Sequence, residues 1–311
     1  MTALRRRVEK QKRESSSTPP GNRSLRDSVL ESIHEIESAY LSGGRNGCIR
    51  TGFSGLDRLT GGARPGELMV IASVSGVGKS MLALNIANHV AQDCASSVAF
   101  FSLESSRLEL TQRLLCSQSG VSLNRVRSGR ISPNRDFPRL EQAAARLAGR
   151  KILMEDPLNV SLKEIRQRIR ELSAAHELKL VVIDPIQLLC GPGGEEDAVN
   201  VARELKRCAR EFGIVVVALA PLDTPPAGRE LGRPTLADLK GMRVLEHHAD
   251  LVVLLWRQDF FEMQPEDYDA DFSRASLIVA KNRHGALGEV PLLFRKEVPR
   301  FENRALEKAE S

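Results

Sequence analysis

The stretch Glu67-Leu-Met-Val-Ile-Ala-Ser-Val-Ser-Gly-Val-Gly-Lys-Ser80, continuing as Met81-Leu-Ala-Leu-Asn-Ile-Ala-Asn88, decides how this chain folds. It starts with a short apolar run of β type and passes through a small, glycine-containing turn. It reaches Lys79-Ser80 where a helical pattern with Leu82, Ile86 and Val90 begins. A strand, a glycine turn and a helix in that order form the context of a phosphate-binding P-loop. Backbone N–H groups of the turn and the positive end of the helix make an anion site. Lys79 is placed to reach the β- and γ-phosphates of ATP, and Ser80 to ligate Mg²⁺. The expected cradle is Ser73, Gly76, Val77, Gly78, Lys79, Ser80 and Met81. The pattern G-x-x-x-x-G-K-[ST] opens with glycine, and this chain has Ser73 there; a small residue is expected to make the same turn.

With 311 residues the chain has ample length for a substantial core, as one large domain or two modest ones. The formal charge of +5 is a property of the first 26 residues, where eight Arg and Lys stand against two Glu; the rest is close to neutral. Residues 1–23, charged and then rich in Ser, Pro and Gly, have almost nothing apolar to bury, so a disordered tail is expected. That tail reads either as an arm touching nucleic acid phosphate or an acidic partner, or as a solubilising segment. The five cysteines are scattered and contain no C-x-x-C pair, which excludes a disulfide framework and points to a reducing cytosol. Apolar runs such as Leu251 to Trp256 are far too short to span a bilayer. A cytoplasmic protein without a membrane partner is expected.

From Ser24 the pattern changes. Ser24-Leu-Arg-Asp27 is a helix start, and Val29, Ile33, Ile36 and Tyr40 recur at helical spacing before Gly43-Gly44. This predicts an amphipathic linker helix over 24–44, whose apolar stripe needs a groove on its own domain or on a neighbouring subunit. Over 45–304 strands and helices alternate. Strands are predicted at Ser97–Ser102, Ile152–Met154, Leu180–Ile183, Ile214–Leu219 and Leu251–Leu255, and helices at Arg107–Ser119, Phe137–Leu147, Leu162–Ala175 and Val199–Phe212. Such alternation means an α/β fold, a mostly parallel sheet with helices on both faces. Ser276–Ala280 and Val290–Phe294 read as a closing antiparallel pair, and 305–311 as a second disordered tail.

Ligands of an open parallel sheet gather beyond the carboxyl ends of its strands. Leu180-Val-Val-Ile183 delivers Asp184, the pattern of a Walker B acid that holds Mg²⁺. Val98-Ala-Phe-Phe-Ser-Leu103 delivers Glu104, suited to orient or deprotonate an attacking water. Lys281-Asn-Arg283 precedes the turn Gly285-Ala-Leu-Gly288 and offers positive charge for a γ-phosphate; such an arginine is often contributed by a neighbouring subunit. A solvated basic turn is the alternative on composition alone. Glu246-His247-His248 with Asp250 is not read as a zinc site, because consecutive histidines on a helix point apart.

From about Ser24 to Asn303 the chain resembles the linker helix and RecA-like ATPase domain of the bacterial replicative hexameric helicases, the DnaB type of superfamily 4. The resemblance rests on a series of matches in family order. These are Thr51-Gly-Phe-Ser-Gly-Leu-Asp57, the P-loop, Phe101-Ser-Leu-Glu104, Val182-Ile-Asp184 with Gln187-Leu188, Arg233-Pro234 with Asp238-Leu239, Glu246 with Ala249-Asp250, and Lys281-Asn-Arg-His-Gly285 with Gly288. The resemblance implies Lys79 and Ser80 on phosphate and Mg²⁺, Glu104 as catalytic base, Asp184 as Walker B acid, and Lys281 and Arg283 as a trans-acting finger. It also implies a homo-oligomeric, hexameric ring on single-stranded DNA, driven by ATP and unwinding duplex. A helicase loader is a further partner to consider.

The departures from the family are equally specific. Pro185-Ile186 stand where the family has Tyr-Leu, and Pro221-Leu-Asp-Thr224 where it has a γ-phosphate-sensing Gln followed by Leu-Asn-Arg. Proline has neither a side-chain donor nor a backbone N–H. A RecA-like, DNA-stimulated ATPase that does not unwind, such as a loader or recombination mediator, therefore remains an alternative, as does a non-enzymatic nucleotide switch. The DNA-facing loop holds Lys240-Gly-Met-Arg243 in place of Arg-Glu-Ser-Gly, so Lys240 and Arg243 keep positive charge for the phosphates of one strand. The family's N-terminal helical domain has no counterpart here, so primase contact by that route is not expected.

Overall fold

The computed structural model describes residues 24–41, 47–93, 96–191, 194–224, 232–239, 243–261 and 271–304. The tail 1–23, Gly43-Gly44, Lys240 and the segment 305–311 lie outside the described residues. Two compact units are present, one reaching to Cys48 and the other starting at Ile49. The first contains helix α1 (Leu25–Leu41). Its start is capped as the sequence requires: the Ser24 hydroxyl donates to Asp27 at 2.7 Å and accepts from the Asp27 N–H at 3.2 Å. Leu25, Val29, Ile33, Ile36 and Tyr40 along this helix are exposed.

The second unit opens with α2 (Ser54–Thr60), β1 (Leu68–Ser73), α3 (Lys79–Asp93), β2 (Ser97–Ser102), α4 (Arg107–Ser119), α5 (Leu123–Arg127) and α6 (Asp136–Ala148). It continues through β3 (Ile152–Glu155), α7 (Leu162–Ala175), β4 (Leu178–Asp184), α8 (Glu195–Phe212) and β5 (Val215–Pro221). It closes with α9 (Val244–His248), β6 (Leu251–Arg257), α10 (Gln258–Phe261), β7 (Phe272–Asn282), β8 (Gly288–Arg295) and β9 (Arg300–Asn303). The strands form one sheet in the order β3-β2-β4-β5-β1-β6-β7-β8-β9. The first six run parallel, and β7, β8 and β9 add antiparallel.

Alternation along the central strands divides the core in two. Met69 and Ile71 of β1 and Leu180 and Val182 of β4 face a layer that contains Leu82, Leu84 and Ile86 of α3. Leu68, Val70 and Ala72, with Val181 and Ile183, face the opposite layer, which contains Ile165 and Ile169 of α7 and Leu205 of α8. Every residue of β1 is buried. A strand covered on both faces and paired on both sides must be apolar throughout, and this one reads as an unbroken apolar run rather than an alternating one.

Most predicted elements appear with small boundary shifts. β4, β6 and β7 extend beyond their apolar stretches, because ladder hydrogen bonds continue through flanking polar residues such as Lys281 and Asn282. Strand β9 is not foreshadowed by the apolar pattern: Arg300-Phe-Glu-Asn303 has a single apolar residue, and β8 pairs with it along the whole span. The short helix α2 is a second element that the periodicity does not predict. Its surroundings explain the Thr51-Gly-Phe-Ser-Gly-Leu-Asp57 stretch. The buried Asp57 carboxylate accepts from the Thr51 N–H and the Thr51 hydroxyl, both at 2.8 Å, and from the Gly52 N–H at 3.2 Å. Gly52 has φ +86°, and a Cβ there would fall 2.7 Å from the His89 ring of α3. The stretch is a clasp that seats the entry loop on the helix following the P-loop.

Asp57→Ala leaves these donors without their acceptor, at about 1–3 kcal/mol for each buried group left unpaired. Urea denaturation of the variant is expected to give a lower midpoint with an unchanged slope; an unchanged midpoint would remove the clasp from the stabilising contacts.

Candidate active site

Register decides which side chains meet. Ser73 ends β1 opposite Pro221 of β5, and Ser102 of β2 pairs with Asp184 of β4. Arg257 ends β6 at the same edge, where its guanidinium donates to the Val77 carbonyl of the P-loop at 3.0 Å. The carboxyl ends of the parallel strands thus bring together the P-loop, Asp184 and, two residues beyond β2, the exposed Glu104.

Within the loop the backbone has the form that glycine permits. Gly76 has φ +85° and Gly78 φ +118°. Ser73 needs no such freedom: it is the last residue of β1, fully buried, and its hydroxyl donates to the Val74 carbonyl at 2.9 Å. A Cβ is tolerated at this position because the turn begins after it. Lys79 opens α3, and its ammonium donates to the Ser73 carbonyl at 3.0 Å, folded back over the loop. Val77 and Met81 are buried and anchor the cradle from beneath.

The charges of the site are paired but dry. Asp184 is 5% exposed, and burial pushes its carboxyl above the usual carboxylate range, more than the Ser80 hydroxyl bond and the Lys79 ammonium pull it down. Glu104 adds to the upward push. Burial lowers the Lys79 ammonium below the usual lysine value, against the attraction of Asp184 and Glu104. A hydroxyl and a carboxylate side by side at the head of a helix are the hard oxygen donors that Mg²⁺ takes, so Ser80 and Asp184 fit the predicted ion.

Lys281 and Arg283 are at the other edge. β7 runs antiparallel to β6, with Asn282 opposite Leu251 at the start of β6, whereas Ser73 lies level with the far end of that strand. Four residues at ~3.3 Å each put the two positions about 13 Å apart along the sheet. Lys281 donates to the Glu246 carbonyl and Arg283 to the His247 carbonyl, so both cations stand on the last turn of α9. Burial, followed by the charge of Arg283, lowers the Lys281 ammonium below its ordinary value. Neither residue joins the P-loop of its own chain. Arg243 is exposed at the start of α9.

Two charged residues of this architecture carry roles that the sequence reading does not assign. Arg257 is gripped by Asp259 through two hydrogen bonds, at 3.1 and 2.7 Å, lies 3.9 Å above the Phe294 ring, and holds the P-loop through Val77. Asp250 lies buried beside Arg283. A charged residue at the end of an apolar strand is the available signal for Arg257, and the Ala249-Asp250 match for Asp250.

Among the described residues no helix is long and apolar enough to cross a membrane. A family model described as the DnaB-like helicase C terminal domain matches residues 48–303. The replicative DNA helicase DnaB of Geobacillus stearothermophilus is 32% identical over 286 residues, covering 90% of this chain and 62% of that protein. The replicative DNA helicase DnaC of Bacillus subtilis is 33% identical over 284 residues, with the same coverage of 90% and 62%. The chain therefore spans about three fifths of the length of the curated relatives it matches. Among solved structures, a DnaB-like replicative helicase described with its primase interactions superposes with a TM-score of 0.79 at 26% identity, over 97% of this chain and 75% of that one. A second solved structure, of an isolated ATPase domain, gives 0.80 at 28% identity, over 91% and 99%. With its cradle, Walker B acid and remote cations set on a RecA-like sheet, the chain belongs to the DnaB-like helicase C-terminal domain family.

Proposed function

We propose that this protein is a cytoplasmic, ring-forming ATPase of replicative-helicase type, which hydrolyses ATP to translocate on single-stranded DNA and unwind duplex. The observation that carries the reading is the separation of the P-loop from Arg283 across the sheet. One subunit holds a phosphate cradle without a cationic finger, and a finger without a cradle. A closed ring of identical copies completes both at every interface.

In this reading the N–H groups of the loop hold the phosphates and Lys79 leaves the Ser73 carbonyl for the β/γ oxygens. Ser80 and Asp184 hold Mg²⁺, which when bound offsets charge developing on the transferred phosphoryl group. Glu104 orients the attacking water and accepts its proton, and Arg283 of a neighbouring copy faces the γ-phosphate. The apolar stripe of α1 seats on the adjacent subunit. Exposed Arg243, with Lys240, meets the DNA backbone, giving binding that weakens with salt and tolerates any sequence. The retained acids and cations around the cradle favour hydrolysis over a passive nucleotide switch. The lack of a donor at Pro221, beside Ser73 in the register, favours a second reading, a DNA-stimulated ATPase without unwinding.

ATP turnover and displacement of a forked duplex, measured on one purified sample, separate the two. Both activities are expected, and Lys79→Ala should abolish both; turnover without displacement would establish the second reading, and no turnover would refute both.

Asp184 also makes a prediction for the ligand-free protein. Its folded carboxyl has the higher pKa, so the native state binds the proton more tightly than the unfolded chain, whose value is about 3.9. Below that pH the raised value costs nothing. As pH rises through the window from there to the raised value, ionisation of the buried group lowers stability. Asp184→Asn should therefore melt higher than wild type at neutral pH, with a gain that shrinks on acidification. An equal or lower melting temperature at neutral pH would contradict it.

A further inference from the structure

Arg283 and the first residue of β1 share one buried carboxylate. Asp250 is 4% exposed, and its Oδ2 accepts from the Leu68 N–H at 2.8 Å and from the Lys206 ammonium at 2.5 Å. Its Oδ1 lies 3.5 Å from Nη1 of Arg283. The backbone repeats the connection: the Asp250 N–H donates to the Leu68 carbonyl, and the Arg283 N–H to the Asp250 carbonyl, both at 2.9 Å. Lys206, from α8, also donates to the Gly66 carbonyl at 2.8 Å. One side chain therefore ties together the strand that leads into the P-loop, a core helix and the residue read as the finger.

A neutral acceptor would satisfy the Leu68 N–H. A buried carboxylate is costly unless cations meet it, and the cations here are Lys206 and Arg283. Arg283 is gripped from two sides, by Asp250 and by the His247 carbonyl, while its side chain keeps 43% of its surface open. An arginine that must reach across an interface loses less freedom on engagement when its guanidinium is held beforehand. We propose that Asp250 is the positioning residue of the trans-acting Arg283, and that the same carboxylate fastens this finger to the strand carrying the subunit's own P-loop. The proposal rests on the reading of Arg283 as a finger.

Asp250→Asn keeps an acceptor for Leu68 and removes the charge that orients Arg283. The expected result is a fall in kcat of about 10–100-fold, with KM for ATP little changed because the cradle is untouched. Combined with Arg283→Ala, it should cost nothing beyond Arg283→Ala alone. Mixed with Lys79→Ala subunits it should regain turnover, since such rings join an intact cradle to a well-held Arg283. A raised KM, multiplicative losses in the double variant, or no recovery on mixing would overturn the proposal. Lys206→Gln is the second arm: it removes the brace to α8 and leaves the carboxylate to Arg283, so turnover within about twofold of wild type is expected. A loss as large as that of Arg283→Ala would assign Asp250 to the brace instead, and overturn the proposal. Mixtures of Arg283→Ala with Lys79→Ala test the finger itself; failure there rejects the underlying reading whatever Asp250 does.

Discussion

Strand β1 is tethered to charge at both ends, and the rest of the structure depends on this. At its carboxyl end the Ser73 carbonyl receives the Lys79 ammonium; at its amino end the Leu68 N–H rests on the Asp250 carboxylate. Between them lie six residues, all buried and in register with β5 on one side and β6 on the other. Such a strand is about 20 Å long and has no slack, since close-packed interiors transmit a displacement rather than absorb it. In a ring read this way, each subunit places a single rigid element between the ATP site it lines and the one it serves through Arg283.

The cradle is built at a cost in stability. Burial drives Asp184 and Lys79 towards their neutral forms, and their mutual attraction offsets only part of it. The position of Lys79 on a backbone carbonyl shows how the ammonium finds a partner of its own chain. Phosphate and a divalent ion supply counter-charges of the right sign, so binding relieves an existing electrostatic burden, and ligand affinity for the folded state becomes stability. Arg257 limits the freedom of the loop during that exchange, because Asp259 and the Phe294 ring fix its guanidinium against the Val77 carbonyl.

Much of this is legible in the sequence, for reasons that differ between elements. The central strands announce themselves because burial on both faces leaves no polar position, and the P-loop because its turn needs glycine at 76 and 78. Glu104 and Asp184 stand out because an acid closing an apolar run is conspicuous. The juxtaposition of Asp250, Lys206 and Arg283 is not legible, since it joins residues 44 and 33 positions apart through pairing that only the sheet order defines. Strand β9 is hidden for a related cause: an edge strand pairs through its backbone and needs little apolar material of its own. Ser73 resembles a defect only in the linear motif; at the end of β1, a residue with a side chain belongs there.

Pro221 gains a physical meaning from the same pairing. It stands level with Ser73 and offers no donor to a phosphate, so a γ-phosphate sensor of the hydrogen-bonding kind is absent from this position. The two residues that follow nevertheless keep a backbone route away from the cradle. The Leu222 N–H donates to the Ser73 carbonyl at 2.9 Å, and the Asp223 N–H to the Asp238 carbonyl at 3.0 Å. Asp238 closes a 3₁₀ turn, capped by Thr235, two residues before Lys240. The Ser73 carbonyl that accepts Lys79 is thus also the first link of a strut leading towards the basic loop. A strut of main-chain bonds does not depend on the side chain at 221. It responds to where the P-loop carbonyl stands, and that in turn depends on whether Lys79 is held by its own chain or by phosphate. The proline removes direct sensing of the γ-phosphate and leaves this mechanical connection in place.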